Sequence, residues 1–164
     1  MFRKRMRRLR FAFLLIFTVA SLTSFYTGLA QPLPEVWEAY HDHQRLSDVL
    51  RQLSEEFPNL MTLEVIGSSV QGREIWLATI TNQDLPGEKP KALFDGAMHG
   101  SEVIGSESML HYINFLVTQY DSDETAREIV DKWITYVVPM VNPDGVENGK
   151  VSSDYRAARK NANL

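Results

Sequence analysis

The chain of 164 residues contains no cysteine. Disulfide scaffolds, Cys-x-x-Cys zinc knuckles and thiol nucleophiles are therefore excluded together. A metal would have to be held by His, Asp or Glu, and imidazole is scarce: His41, His43, His99 and His111 are the whole supply. No Gly-x-Ser-x-Gly occurs. Ser69 lies in Gly-Ser-Ser-Val-Gln-Gly and Ser101 in His-Gly-Ser-Glu, so a serine hydrolase has little support. A glycine loop for phosphate is missing too, as are internal repeats and low-complexity tracts. With 44% hydrophobic and 23% charged residues, the composition is globular, neither disordered nor that of a multi-span membrane protein. The length allows one domain, or part of a larger one.

Charge is unevenly placed. Residues 1–30 hold six Arg or Lys and no acid, which leaves 11 basic against 21 acidic residues from Gln31 onward. A body that acidic repels phosphate backbones, which argues against nucleic acid as a partner. The basic start runs into the apolar stretch Phe11 to Leu22, then into Gly28-Leu29-Ala30 before Gln31. Positive charge, a short apolar helix and small residues at −3 and −1 are the parts of a cleaved signal peptide covering residues 1–30. The alternative is an uncleaved anchor over residues 11–29, a stretch close to the roughly 20 residues a span needs. Both readings place the body outside the cytoplasm, as an exported, secreted or periplasmic protein that meets a membrane only during export or through the anchor.

Residues 31–39, with two prolines, read as a linker. Leu46, Val49, Leu50, Leu53 and Phe57 repeat at helical spacing, which predicts a helix over 42–57 ended by Pro58, with Asp42 as its cap. Residues 61–67 and 74–81 read as two strands of a hairpin, and 91–98 as the start of a third. A long helix is expected over 102–119 and a shorter one over 123–132 capped by Ser122. The run 133–141 is apolar throughout, the mark of a strand covered on both faces and needing partner strands. Asn142-Pro143-Asp144-Gly145 reads as a turn closing it, and 146–164 as a polar tail. Alternating strands and helices argue an α/β fold.

His99 and Glu102 stand three apart where a strand meets a helix, so that an imidazole and a carboxylate can turn toward one ion. Zinc without thiolates is commonly held by His and Glu, and ligands of open α/β sheets gather at the carboxyl ends of strands. The plainer reading is a loop His beside a Glu favoured by the helix dipole. His41-Asp42-His43 could chelate, yet it begins a surface helix and reads as solvated. His111 lies within the long helix, away from His99. Arg156, Arg159 and Lys160 form a basic cluster in the tail.

Several segments then follow in one order: Tyr40 opening a helix that ends in Phe57-Pro58; Gly67-Ser68-Ser69-Val70-Gln71-Gly72-Arg73-Glu74-Ile75; Gly96-Ala97-Met98-His99-Gly100-Ser101-Glu102; Pro139-Met140-Val141-Asn142-Pro143-Asp144-Gly145; and Arg159-Lys160-Asn161-Ala162-Asn163. This order resembles the N-terminal half of the M14 family of zinc carboxypeptidases, over about residues 40–164. The His-Gly-x-Glu form and the Arg-x-Asn-Ala-Asn ending look closer to the regulatory, N/E-like branch than to the digestive one.

The resemblance implies part of a mixed, mostly parallel sheet with helices on both faces. It implies a metallocarboxypeptidase that hydrolyses C-terminal residues from peptides or proteins with Zn2+. His99 and Glu102 match the first two zinc ligands, and Arg159 matches the arginine that polarises the scissile carbonyl. The third ligand, the general base and the carboxylate-gripping pair would lie beyond Leu164, since no His follows His111 and no Asp or Glu follows Asp154. The chain is thus expected to be an inactive N-terminal part of the catalytic domain. A non-catalytic carboxypeptidase-like binding module, or a nonfunctional remnant, is the alternative. Export is testable separately: N-terminal sequencing of the mature protein should begin at Gln31, and a membrane-resident product beginning at Met1 would favour the anchor.

Overall fold

The computed structural model describes residues 40–151 and Lys160. The expected signal peptide, the linker and Arg159 lie outside the described residues. Helix α1 spans His43–Glu56. The Asp42 carboxylate accepts from the Arg45 backbone N–H at 2.8 Å, satisfying one of the N–H groups a helix start leaves orphaned. Leu46, Leu50 and Leu53 are buried, with Val49 and Phe57 packed at their margin, so the apolar stripe faces the core as its spacing requires.

Strands β1 (Met61–Ser68) and β2 (Glu74–Ile80) form the expected antiparallel hairpin, with a bulge between Val65 and Gly67. Its turn is closed by Ser69 N–H to Arg73 O at 2.8 Å and Gly72 N–H to Ser69 O at 3.0 Å. Gly72 takes φ +79° there, a region open to glycine at no steric cost. Strand β3 (Lys91–Asp95), helix α2 (Val103–Thr118), helix α3 (Glu124–Lys132) and strand β4 (Ile134–Val138) follow. The sheet order is β1-β2-β4-β3: β4 runs antiparallel to β2 and parallel to β3. The fold is therefore α/β with a mixed sheet. Core side chains come from both layers: Leu50 of α1, Leu110, Ile113 and Leu116 of α2, and Ala78, Ile80 and Val137 of the sheet.

Three expectations need correction. The cap of α3 is Asp123, which accepts from Ala126 N–H at 2.9 Å, while the Ser122 hydroxyl turns back to the Gln119 side chain at 3.0 Å. A carboxylate placed one residue later meets the positive helix end directly, and that favours it over a hydroxyl. Asn142–Gly145 is not a turn before a shapeless tail: it is the start of helix α4, Pro143–Val151. Asn142 accepts from the Gly145 N–H at 3.0 Å, and Pro143 takes the first helical position, where its missing N–H costs nothing. Finally, β4 is shorter than 133–141 and has a partner strand on each side. Among the described residues the strands with an unpaired edge are β1 and β3, and Leu93 of β3 is 67% exposed.

The connections leaving β3 and β4 stay paired beyond the strands. Gly96 N–H donates to Val138 O at 3.0 Å, Val141 N–H to Gly96 O at 2.9 Å, and Asn142 N–H to Ala97 O at 3.1 Å. A β-carbon on Gly96 would lie 2.6 Å from the Gly105 carbonyl oxygen and 2.8 Å from that of Pro139. Ala97, next to it, is buried with φ +49°, which costs about 1–2 kcal/mol for a residue with a β-carbon. Gly96→Ala should therefore destabilise by about 3 kcal/mol or more, because two backbones must separate. Ala97→Gly should be near neutral, since relief of strain offsets the roughly 1 kcal/mol of added chain entropy. Urea unfolding of the two variants tests the contrast.

Candidate functional site

The β1–β2 turn, the loop entering α2 and the first turn of α4 surround a cleft of about 600 Å³. Ser69 and Val70 line it from the hairpin, Met98 and His99 from the α2 side, Asn142 and Asp144 from α4, and Lys160 closes the set. His99 follows β3 by four residues and Glu102 is the residue before α2. The loop between them folds back on itself, with Glu102 N–H donating to His99 O at 2.9 Å. That tight return brings His99 Nδ1 to 3.1 Å from Glu102 Oε2. The side chains are 43% and 47% exposed, so an imidazole nitrogen that lines the cleft and a carboxylate beside it converge in reach of solvent.

The opposite wall is organised by Asp144, 1% exposed. Its Oδ1 accepts from the Ser69 hydroxyl at 2.7 Å and from Arg73 Nη1 at 2.6 Å, and its Oδ2 accepts from the Gln71 N–H at 3.0 Å. Ser69 Oγ in turn accepts from Arg73 N–H at 3.0 Å. One carboxylate thus ties the hairpin turn to the start of α4. Burial pushes the Asp144 carboxyl upward, but the bonds from Ser69, Gln71 and Arg73, with the Arg73 charge, outweigh it and hold the group below its ordinary value.

The sequence reading placed His99 and Glu102 together, and the structure does so. Residues 142–145 open a helix and not a turn, and Asp144, Ser69 and Arg73 form one cluster that turn composition does not announce; its signal is Asn-Pro, a cap followed by a first helical residue, which sets the next residue inside a helix facing the hairpin. His111 is exposed on α2. His41-Asp42-His43 is not a solvated run: His41 is 2% exposed, and its ring Nδ1 lies 2.8 Å from Glu107 Oε2. Its partner is the buried Glu107 of α2, 66 positions along the chain, which local spacing does not encode. Among the described residues no three His, Asp or Glu gather as a metal-binding group.

The Peptidase_M14 family profile, described as zinc carboxypeptidase, matches residues 46–164. The chain belongs to this family. It is 33% identical over 132 residues to a zinc carboxypeptidase of Saccharothrix mutabilis subsp. capreolus, covering 80% of this chain and 30% of that one. It is 30% identical to mouse carboxypeptidase M over 84% of this chain and 32% of the relative. The chain therefore spans about a third of the length of these curated relatives. The fold agrees with a crystal structure of thrombin-activatable fibrinolysis inhibitor, at TM-score 0.71 and 20% identity, over 84% of this chain and 34% of the other.

The lowered Asp144 value fixes the sign of a pH effect. The unfolded carboxyl titrates near 3.9. Its contribution to stability is present above that value and is lost as pH falls toward the lower folded one. Asp144→Asn should destabilise by about 2–3 kcal/mol at neutral pH, through lost charge-assisted bonds, and should flatten the acid limb of the stability profile below about pH 4. Thermal unfolding across pH 2–7, with wild type alongside, reads both effects.

Proposed function

We propose that the protein is a zinc-dependent metallocarboxypeptidase that removes C-terminal residues from peptides or proteins, with His99 and Glu102 as two of its zinc ligands. The observation that carries this reading is the convergence of His99 and Glu102 to 3.1 Å at an open cleft, in a chain of the zinc carboxypeptidase family. The donor set fits the ion: an imidazole nitrogen and a carboxylate oxygen are ordinary zinc donors, and both are exposed enough to give up water. When bound, zinc supplies a Lewis acid that polarises a carbonyl oxygen.

The rest follows from this chain's own groups. The short return from His99 to Glu102 holds the donors side by side before any ion arrives, which reduces the ordering needed on binding. Asp144 fixes the facing wall by holding Ser69, Gln71 and Arg73 at once. Arg159, by resemblance to the family, places a guanidinium by the scissile carbonyl, where a permanent cation stabilises developing negative charge. The third ligand and the general base are assigned to the part of the family domain that this chain does not span. The regulatory, N/E-like branch is the finer reading of the substrate class. Export through residues 1–30 would put the enzyme outside the cytoplasm; among the described residues no helix is long and apolar enough to cross a membrane.

In the full-length protein, His99→Ala and Glu102→Ala should each remove bound zinc together with activity, since each deletes a direct donor. Arg159→Ala should keep zinc while kcat falls about 10²–10³-fold, because its charge acts on the transition state. Metal content by atomic absorption, beside release of C-terminal residues from peptides, decides between these outcomes. Undiminished zinc in the His99→Ala protein would sink the ligand assignment.

A further inference from the structure

The residues that open α1 are gripped from two directions. His41 donates its backbone N–H to Glu107 Oε1 at 2.6 Å, and its ring Nδ1 lies 2.8 Å from Glu107 Oε2. His43 donates its N–H to Glu147 Oε1 at 2.9 Å, and its ring Nε2 lies 2.8 Å from the Glu74 carbonyl oxygen. Asp42, between them, caps α1. Glu107 is the fifth residue of α2 and Glu147 the fifth of α4. These two helices begin at the two sides of the cleft, one behind Glu102 and the other at Asn142. Each grip therefore falls within about one and a half helical turns of a site residue. Over that length a helix is stiff, and a shift at the grip moves its first turn.

We propose that His41, Asp42 and His43 form a brace that sets the spacing between the two helices bearing the cleft, with Glu107 and Glu147 as positioning residues for the site. The segment is three residues long and immobilised at both ends. It fixes α2 through a carboxylate that accepts twice, fixes α4 through a second carboxylate, and fixes the start of β2 through the Glu74 carbonyl. Neither Glu107 nor Glu147 lines the cleft, so neither touches the substrate; each acts through the helix it belongs to. Chelation is not the role of this His-Asp-His run: its Asp oxygen accepts from Arg45 N–H, and its rings turn to different elements. The effect on the site rests on the zinc carboxypeptidase reading, whereas the brace itself does not.

No cysteine lies in these 164 residues, so once any cysteine elsewhere in the full-length protein is replaced by serine the spacing is measurable. Spin labels on Ser108→Cys of α2 and Asn148→Cys of α4, in the full-length protein, report the helix separation by pulsed dipolar spectroscopy. The wild-type background should give a narrow distance distribution. Glu107→Ala and Glu147→Ala should each broaden or shift it and weaken zinc binding about tenfold, the lower end of the effect of outer partners on metal affinity. Glu107→Gln, which keeps an acceptor for the His41 N–H, should restore most of both. Asp131→Ala, which breaks the Asn82 and Tyr120 contacts elsewhere, is the control for simple loss of stability. An unchanged distribution in both alanine variants would overturn the brace, and so would equal broadening in the Asp131 variant. Unchanged zinc affinity despite a shifted distance would overturn its role in the site. If the wild-type protein binds no zinc, the functional reading fails while the distances still decide the brace.

Discussion

Two backbones meet without side chains between them at Gly96. The carbonyls of Gly105 and Pro139 sit where its β-carbon would be. This contact is the constraint the cleft depends on. It lets the segment leaving β3 run along the segment leaving β4, so that the sheet pairing continues through Val141 and Asn142 after both strands have ended. Two helices can then start side by side at the carboxyl ends of neighbouring strands. The site needs that adjacency, because His99 belongs to one connection and Asp144 follows the other. The strained φ of Ala97 is the local cost of turning the chain out of β3 immediately after the contact.

Three carboxylates extend the same logic by holding backbone groups of remote segments. Asp144 takes the Gln71 N–H, Glu107 the His41 N–H and Glu147 the His43 N–H. A carboxylate has more acceptor sites than a single partner can use, and a bond to an ionised acceptor is worth more than a neutral one. Each therefore fastens a loop or a helix end to an element far along the chain. Glu102 belongs to a different setting. It is half exposed, and its contact to His99 comes from its own loop. Near one cleft, burial and long-range bonding mark the carboxylates that hold the fold, and Glu102 stands apart from them by its exposure.

The elements legible in the sequence were those that local chemistry determines. The α1 stripe, the hairpin and the His99–Glu102 pair depend on residues within a few positions of one another, and spacing alone exposes them. The α4 helix was hidden because Asn-Pro-Asp-Gly is the composition of a turn as well as of a capped helix start. What decides is whether the following residues find a packing surface, and Val146, 2% exposed in the core, found one. The partners of β4 were illegible for a related reason. Its apolar run announces burial, but not which strands supply it, and both neighbours precede it by at least 43 positions in register, as Lys91 pairs with Ile134 and Ala78 with Val137. The Asp144 cluster joins residues 71 to 75 positions apart, a separation that no periodicity reports.

Position within the sheet also explains why the cleft opens where it does. β4 is interior, flanked by an antiparallel neighbour and a parallel one. Helices can enter only at the strand ends, and parallel strands send their following helices off the same edge. β3 and β4 are the parallel pair, so α2 and α4 begin at that common edge with their positive dipole ends together. Such an edge favours ionised carboxylates, and the chain supplies Asp144 in the first turn of α4 and Glu102 at the cap of α2. A hairpin strand alone would have sent its partner away from this edge. The antiparallel β1–β2 unit contributes instead its turn, Ser69 to Arg73, folded over the same end and fastened there by Asp144. The cleft is thus the place where a parallel pair ends and a hairpin turns, and Ser69, Gln71 and Arg73 hold its buried Asp144 below the ordinary carboxylate value.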